Sequence, residues 1–308
     1  MTDRLDPQAK RVLDMLSLQG GPSVAALDIA ARRAAFANLM RFTAPAAEIG
    51  DVEEIATTPP MRFYAPKRKS SSGLLFLHGG GLVAGSPATH DALCRVLTAA
   101  SGCNLFAIDY RLAPEHPFPA GLDDARGALK WIFEQSTRLG LAQIGIGGDS
   151  AGGTLAAVTA AEWNASEEPK LAFQFLLCPI LDFAHAAPSR VAFASPILDQ
   201  ATLDHDMALY TRAQISLDDP RISPLRASTF ANLPPTILHT AQCDPLRDEG
   251  TAYAARLREG GIEVHHTCHA GLPHLFYGLT SIVPAAREAV QHIGTELGEW
   301  LARSNLSG

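Results

Sequence analysis

From about residue 50 onward, short apolar runs alternate with longer helical patterns, and few folds accommodate that order. The runs are GLLFLH (73–78), NLFAID (104–109), QIGIGG (143–148), AFQFLLC (172–178), PTILHTA (235–241) and EVHHTCH (263–269). Several are continuously apolar, as strands buried on both faces must be. Helical periodicity fills the intervals at 92–101, 123–136, 151–163 and 249–261, and a last helix is expected over 285–303. Strand and helix in alternation build a mostly parallel central sheet flanked by helices, so the expected fold class is α/β. VEEIAT and MRFYAP, within 52–66, are expected to add an antiparallel edge.

Two stretches break the alternation. In residues 1–45, Asp6 and Pro7 suit an N-cap and first helical position, and Val12, Met15 and Leu16 share one helical face before Gly20 and Gly21 stop the run. A second helix is expected over 24–41. The other stretch, 182–220, contains the helix-like ATLDHDMALYTRAQ. Both pieces could pack together as a helical cap over one end of the sheet. The expected division is therefore 1–45 and 182–220 as cap, and 46–181 with 221–308 as the α/β domain.

A formal net charge of -7 gives no electrostatic reason to bind nucleic acid. The one basic cluster, Lys67, Arg68 and Lys69, runs into serines and reads as a solvated loop. No apolar run approaches the ~20 residues of a membrane span, so no stable membrane insertion is expected. The opening MTDRLDPQAKRVLDML is acidic in part and lacks the apolar core of a signal peptide, which favours a cytoplasmic location. Five widely spaced cysteines without a CxxC pair read as reduced core residues.

In an open parallel sheet, ligands bind beyond the carboxyl ends of the strands, so residues just after strands carry the chemistry. GDSAG, at 148–152, fits G-x-S-x-G: Gly148 and Gly152 permit a tight strand-to-helix turn that exposes the Ser150 hydroxyl at a helix N-terminus. A serine hydroxyl needs a base within reach and a third group to orient that base. Nucleophile turns of this kind take their partners in the order Ser, Asp or Glu, His. His265, His266 and His269 lie within or at the end of the last strand and His292 lies mid-helix, whereas His274 alone sits in a loop after a strand. Asp244 directly follows the run at 235–241, while Asp248 and Glu249 suit a helix start. Asp244 and His274 are the expected partners of Ser150.

A serine attacking a carbonyl creates an oxyanion that needs preset N–H donors. Gly79, Gly80 and Gly81 follow the strand at 73–78 and could form that oxyanion hole; Gly80 and Gly81, with the Ala151 N–H, are the expected donors. The run continues LVAGSPATH, not the Gly-Lys-Ser/Thr of a phosphate loop. His78 precedes the serine and is read as a brace, as is Asp149. Arg111, Glu115 and His116 read as an internal bracing network. VHHTCH, 264–269, raises a metal site, but adjacent strand residues point to opposite faces, which separates His265 from His266.

With HGGG (78–81), DYRLAPEHPFPAGLDD (109–124), GDSAGG (148–153), DPLRDEG (244–250) and GLPHLFYG (271–278) in this order, the chain resembles the hormone-sensitive lipase family of α/β-hydrolase esterases, bacterial family IV. The resemblance spans residues 78–278. It implies the α/β-hydrolase fold with a helical cap, a serine carboxylesterase acting on short to medium-chain acyl esters, Ser150 as nucleophile with Asp244 and His274, and Gly80, Gly81 and Ala151 as oxyanion donors. It implies no cofactor and no metal, a small-molecule ester as partner, and a possible homodimer. An amidase, thioesterase or arylesterase would use the same triad, and that alternative stays open. The residue after HGGG is often aromatic in the family; here it is Leu82, which leaves the shape of the nearby pocket open.

Overall fold

The computed structural model describes residues 4–18, 23–166 and 168–304. Its eight strands are β1 (Val52–Ile55), β2 (Met61–Tyr64), β3 (Ser72–Leu77), β4 (Asn104–Ile108), β5 (Gln143–Asp149), β6 (Phe173–Leu177), β7 (Thr236–Cys243) and β8 (Val264–Pro273). They form one sheet in the order β1-β2-β4-β3-β5-β6-β7-β8. β1 pairs antiparallel with β2, and β2 with β4. All other pairs are parallel. Every residue of β3, β4 and β6 is buried, the two-sided burial expected of strands covered by helices on both faces. The antiparallel edge read from VEEIAT and MRFYAP is thus present.

The covering helices include α3 (Asp91–Ser101), α4 (Ala120–Glu134), α6 (Ser150–Ala165), α9 (Arg247–Glu259) and α10 (Pro284–Ser304), with a short α5 (Ser136–Leu139) after α4. α3 packs on α10, and α4 on α6. Crossing is close where side chains are missing: a Cβ on Gly298 would lie 3.0 Å from Ser101 Cα. No helix among the described residues is long and apolar enough to cross a membrane.

The segments outside the alternation differ in part from expectation. α1 (Pro7–Leu18) starts as read, with the Asp6 carboxylate accepting from the Gln8 and Ala9 N–H groups. Met15 does not share the buried face of Val12; it is 55% exposed. Gly20 and Gly21 lie outside the described residues. The helix expected over 24–41 is divided into a 3-10 turn (Val24–Ala26), α2 (Ile29–Leu39) and a second 3-10 turn (Met40–Phe42). Asp28 imposes the break, because its extended backbone and its carboxylate, which accepts from the Ala31 N–H, make it an N-cap. The 182–220 stretch holds α7 (Pro188–Ala192), not anticipated, and α8 (Gln200–Thr211). α2 and α8 meet through Arg32 and Asp206 and lie above the carboxyl ends of the parallel strands, facing Ser150 across a cavity.

Candidate active site

Ser150 is the first residue of α6, directly after β5, and holds φ +50. A non-glycine residue in that region is strained and is tolerated where the surroundings over-determine it. Those surroundings are backbone: a Cβ on Gly148 would lie 2.5 Å from Leu77 O, and one on Gly152 would lie 2.1 Å from the same atom. The flanking glycines of GDSAG therefore let β5, α6 and the end of β3 meet with Ser150 at the junction.

Ser150 Oγ lies 3.1 Å from His274 Nε2, and His274 Nδ1 lies 2.9 Å from Asp244 Oδ2. With Asp244 ionised, Nδ1 carries the proton and donates, leaving Nε2 to accept from the serine hydroxyl. The other Asp244 oxygen accepts from the Leu246 N–H at 2.7 Å, which fixes the carboxylate plane in the turn that Pro245 shapes. All three side chains are buried. The structure brings together the three residues that the chain order singles out.

The glycine loop follows β3. Gly80 (φ +122) and Gly81 (φ +68) adopt backbone that side chains disfavour, and the loop closes on itself as Ala84 N–H donates to Gly80 O at 2.9 Å. Both line the cavity beside Ser150 and His274. Among the described residues, no acceptor within the protein takes the Gly80 or Gly81 N–H. Gly79 differs: its N–H donates to Asp149 Oδ1 at 2.9 Å, so it is unavailable to an oxyanion and the donor set narrows to Gly80, Gly81 and Ala151.

Asp149 braces, as read, but more widely than a sequence neighbour of the nucleophile suggests. Its Oδ2 accepts from Tyr277 OH at 2.7 Å and lies 3.3 Å from His90 Nε2. Burial pushes this carboxyl up, but His90 and Tyr277 outweigh that and hold it below the usual aspartate range. One carboxylate thus ties the glycine loop, the start of α3 and the segment after His274 to the serine turn. His78 is also a brace: Nδ1 lies 2.9 Å from Gly79 O, the ring stacks on Tyr110 at 4.3 Å, and burial lowers its pKa to about 3, so the ring is neutral. Tyr110 and Tyr277 fall within the DYRLAPEHPFPAGLDD and GLPHLFYG segments and His90 within none, but nothing in the sequence shows that the three converge on His78 and Asp149.

The remaining sequence candidates separate. Arg111 binds Asp124 bidentately, whereas Glu115 binds Arg33 on α2 at 2.7 Å and His116 is exposed; the three are not one network. Asp248 and Glu249 do fall in the first turn of α9. Glu249 is also fully enclosed, accepting from the Leu181 and Asp182 N–H groups and facing Arg190. His265 reaches Glu296 at 2.8 Å and His266 reaches Thr240 at 2.9 Å, the two directions that alternation requires. Cys178, Asp244 and His274 offer ligand atoms within 4.8 Å of one another, a spacing that could hold a cation, but there Asp244 and His274 bond each other. Leu82 is buried and is not among the residues that line the cavity.

The cavity above Ser150 has a volume of about 170 Å³ and is walled mainly by apolar side chains such as Phe36, Leu39, Ile180 and Leu198. Residues 74–278 match the family model described as alpha/beta hydrolase fold. The chain belongs to the alpha/beta hydrolase family. Within this family it is a carboxylic ester hydrolase of the hormone-sensitive lipase type. It is 37% identical to an ethyl acetate hydrolase of Pseudomonas putida over 243 residues, 76% of each chain. It is 36% identical to an arylesterase of Saccharolobus solfataricus over 224 residues, 71% of this chain and 73% of that one. Among solved structures, an ester hydrolase from the Lake Arreo metagenome, in complex with a bipyridine phosphonate derivative, superposes with a TM-score of 0.90 at 36% identity, covering 96% of this chain and 98% of that one.

Proposed function

We propose that this alpha/beta hydrolase cleaves short to medium-chain acyl esters through a covalent acyl-enzyme on Ser150. The observation that carries the reading is the unbroken Ser150–His274–Asp244 hydrogen-bond chain on the floor of an apolar cavity beside unpartnered Gly80 and Gly81 N–H groups. His274 takes the Ser150 proton as the hydroxyl oxygen attacks the ester carbonyl. The oxyanion accepts from Gly80, Gly81 and Ala151, each donor worth ~10²–10³ in rate. His274 then returns the proton to the leaving alcohol, and a water deprotonated by the same nitrogen releases the acid. Asp244 holds the imidazole tautomer and offsets its charge. The site as proposed needs no metal or cofactor to complete these steps.

Residues 1–45 and 182–220 act as the cap that shapes the acyl pocket, and the resemblance supports a homodimer as the assembly. Five free thiols, four of them buried, fit a cytoplasmic location, and the negative net charge fits a small-molecule ester rather than nucleic acid as partner. Ser150→Ala tests the reading: turnover of p-nitrophenyl acetate and butyrate is expected to fall by several orders of magnitude with the circular dichroism spectrum unchanged. Near wild-type turnover by that variant would disprove it. Amide and thioester analogues in the same panel separate the alternative acyl transfers.

A further inference from the structure

Apart from Ser150 and His274, the cavity wall is mainly apolar with one marked exception. Arg32 of α2 and Asp206 of α8 form an ion pair with Nη2 and Oδ2 2.7 Å apart, their side chains 9% and 5% exposed. Withdrawing two such ions from water costs several kcal/mol each, and two apolar side chains of similar volume would join the helices at least as well. The pair is also incompletely satisfied. Among the described residues Arg32 donates only through Nη2, and its Nε is buried with no acceptor. Asp206 Oδ1 is buried with no donor; His205 Nδ1 stands 3.9 Å away and is itself unpartnered. Burial lifts the Asp206 carboxyl above its ordinary range, with Arg32 opposing the shift.

The pair stands at the reacting centre. A Cβ on Gly81 would lie 1.9 Å from Asp206 Oδ2, so the carboxylate abuts the proposed oxyanion loop. Arg32 and Asp206, each with a polar atom left unpartnered, line the cavity together with Ser150 and His274. The pair is net neutral, so a charged substrate group would leave one charge uncompensated in an apolar cavity. A hydroxyl does not, and it can accept from Arg32 and donate to Asp206 at once.

We infer that Arg32 and Asp206 form a polar subsite that selects hydroxyl-bearing esters, with the hydroxyl a few bonds from the scissile carbonyl, over alkyl esters of equal shape. This rests on the esterase reading above. A site built to hydrogen-bond a substrate hydroxyl discriminates strongly against the analogue lacking it, because its own buried polar groups are then left unpaired.

The test uses two pairs in which a hydroxyl replaces a methyl: methyl 3-hydroxybutanoate against methyl 3-methylbutanoate, and 3-hydroxypropyl acetate against butyl acetate. Rates are followed by pH-stat and normalised to alkaline hydrolysis. The full-length wild-type enzyme is expected to favour the hydroxyl member of at least one pair by about tenfold or more in kcat/KM. In the double variant Arg32→Met/Asp206→Leu that ratio should fall to near one. A wild-type ratio below about tenfold in both pairs overturns the subsite, as does a preference that survives the double substitution. Should the double variant fail to fold, a crystal of Ser150→Ala soaked in the preferred ester decides: the hydroxyl within hydrogen-bond distance of Arg32 or Asp206 supports the subsite, and any other position overturns it. Equal hydrolysis of both members defeats the subsite alone, whereas no hydrolysis of any ester defeats the esterase reading with it.

Discussion

Gly152 is where the helix behind the nucleophile meets the strand that carries the glycine loop. A Cβ there would lie 2.1 Å from Leu77 O and 2.5 Å from His78 O. Both atoms are backbone, so neither can rotate aside. To reach the 3.0 Å that real Cβ atoms tolerate, α6 and the Leu77–His78 peptide must part by about 0.9 Å. That displacement falls between Ser150, two residues back along α6, and Gly80 and Gly81, just beyond His78. A 1 Å misplacement of reacting groups can cost about 10²-fold, and overpacking typically costs about 1–3 kcal/mol. Gly152→Ala is therefore expected to lower kcat/KM on p-nitrophenyl acetate about a hundredfold and stability by about 1–3 kcal/mol, read by steady-state kinetics and urea unfolding. Gly127→Ala is the control. That glycine lies exposed within α4 and a Cβ on it meets nothing within 4 Å, so the alanine should add up to ~1 kcal/mol of stability and leave turnover alone. Wild-type turnover and unfolding midpoint in Gly152→Ala would refute the argument that this contact sets the distance between nucleophile and loop.

Asp244→Asn keeps the shape of the side chain but removes the charge that fixes the His274 tautomer; kcat should fall by about 10⁴ with little change in KM, and a loss below about tenfold would place the orienting role elsewhere. Asp149→Ala strips the acceptor from the Gly79 N–H and the Tyr277 hydroxyl, both buried, at about 1–3 kcal/mol for each orphaned donor. Its melting temperature should fall along with kcat, and an unaltered melt would contradict the bracing role. Acid should weaken the fold through its buried histidines, opposed in part by Glu249, whose carboxyl burial raises to about 7 so that it takes up its proton first in the folded state. Burial holds His269 down to about 4 and His78 to about 3, and His239 well below its ordinary value. As pH falls below 6.5 the unfolded chain takes up these protons first, so stability drops between pH 6.5 and about 3. Each histidine removes about 1.4 kcal/mol for every pH step of one until its own folded-state pKa is passed. A urea midpoint at pH 5 equal to that at pH 7 would count against this.

The triad was legible because the open-sheet rule is positional: functional residues follow strands, and Ser150, Asp244 and His274 do so in the order the chemistry uses. The central strands β3, β4 and β6 were legible for a related reason, since two-sided burial leaves them largely apolar. What escaped was cooperation between distant segments. The sequence favours Gly80 and Gly81 as donors but does not show what occupies the Gly79 N–H, which the Asp149 carboxylate takes from 70 residues away. Arg32 and Asp206 are ordinary charges on helical patterns in sequence, and only folding of α2 against α8 puts them in the wall of the cavity. The break before Ile29 was readable in principle from Asp28 as a cap, but alanine-rich flanks disguised it. Met15 kept helical spacing yet faces outward, because periodicity marks a face without saying whether anything covers it.

His274 stands 124 residues after Ser150, beyond the edge strand β8. During synthesis the serine and its glycine turn therefore leave the ribosome well before the group that can take the serine proton. Until β8 docks along β7 and carries its loop back over the sheet, Ser150 is an ordinary alcohol. A chain cut short between residues 151 and 273 would hold the nucleophile and the glycine loop and still transfer no acyl group. Placement of the base near the end of the sheet thus works as a completion check, confining a reactive serine to molecules whose last strand is in place.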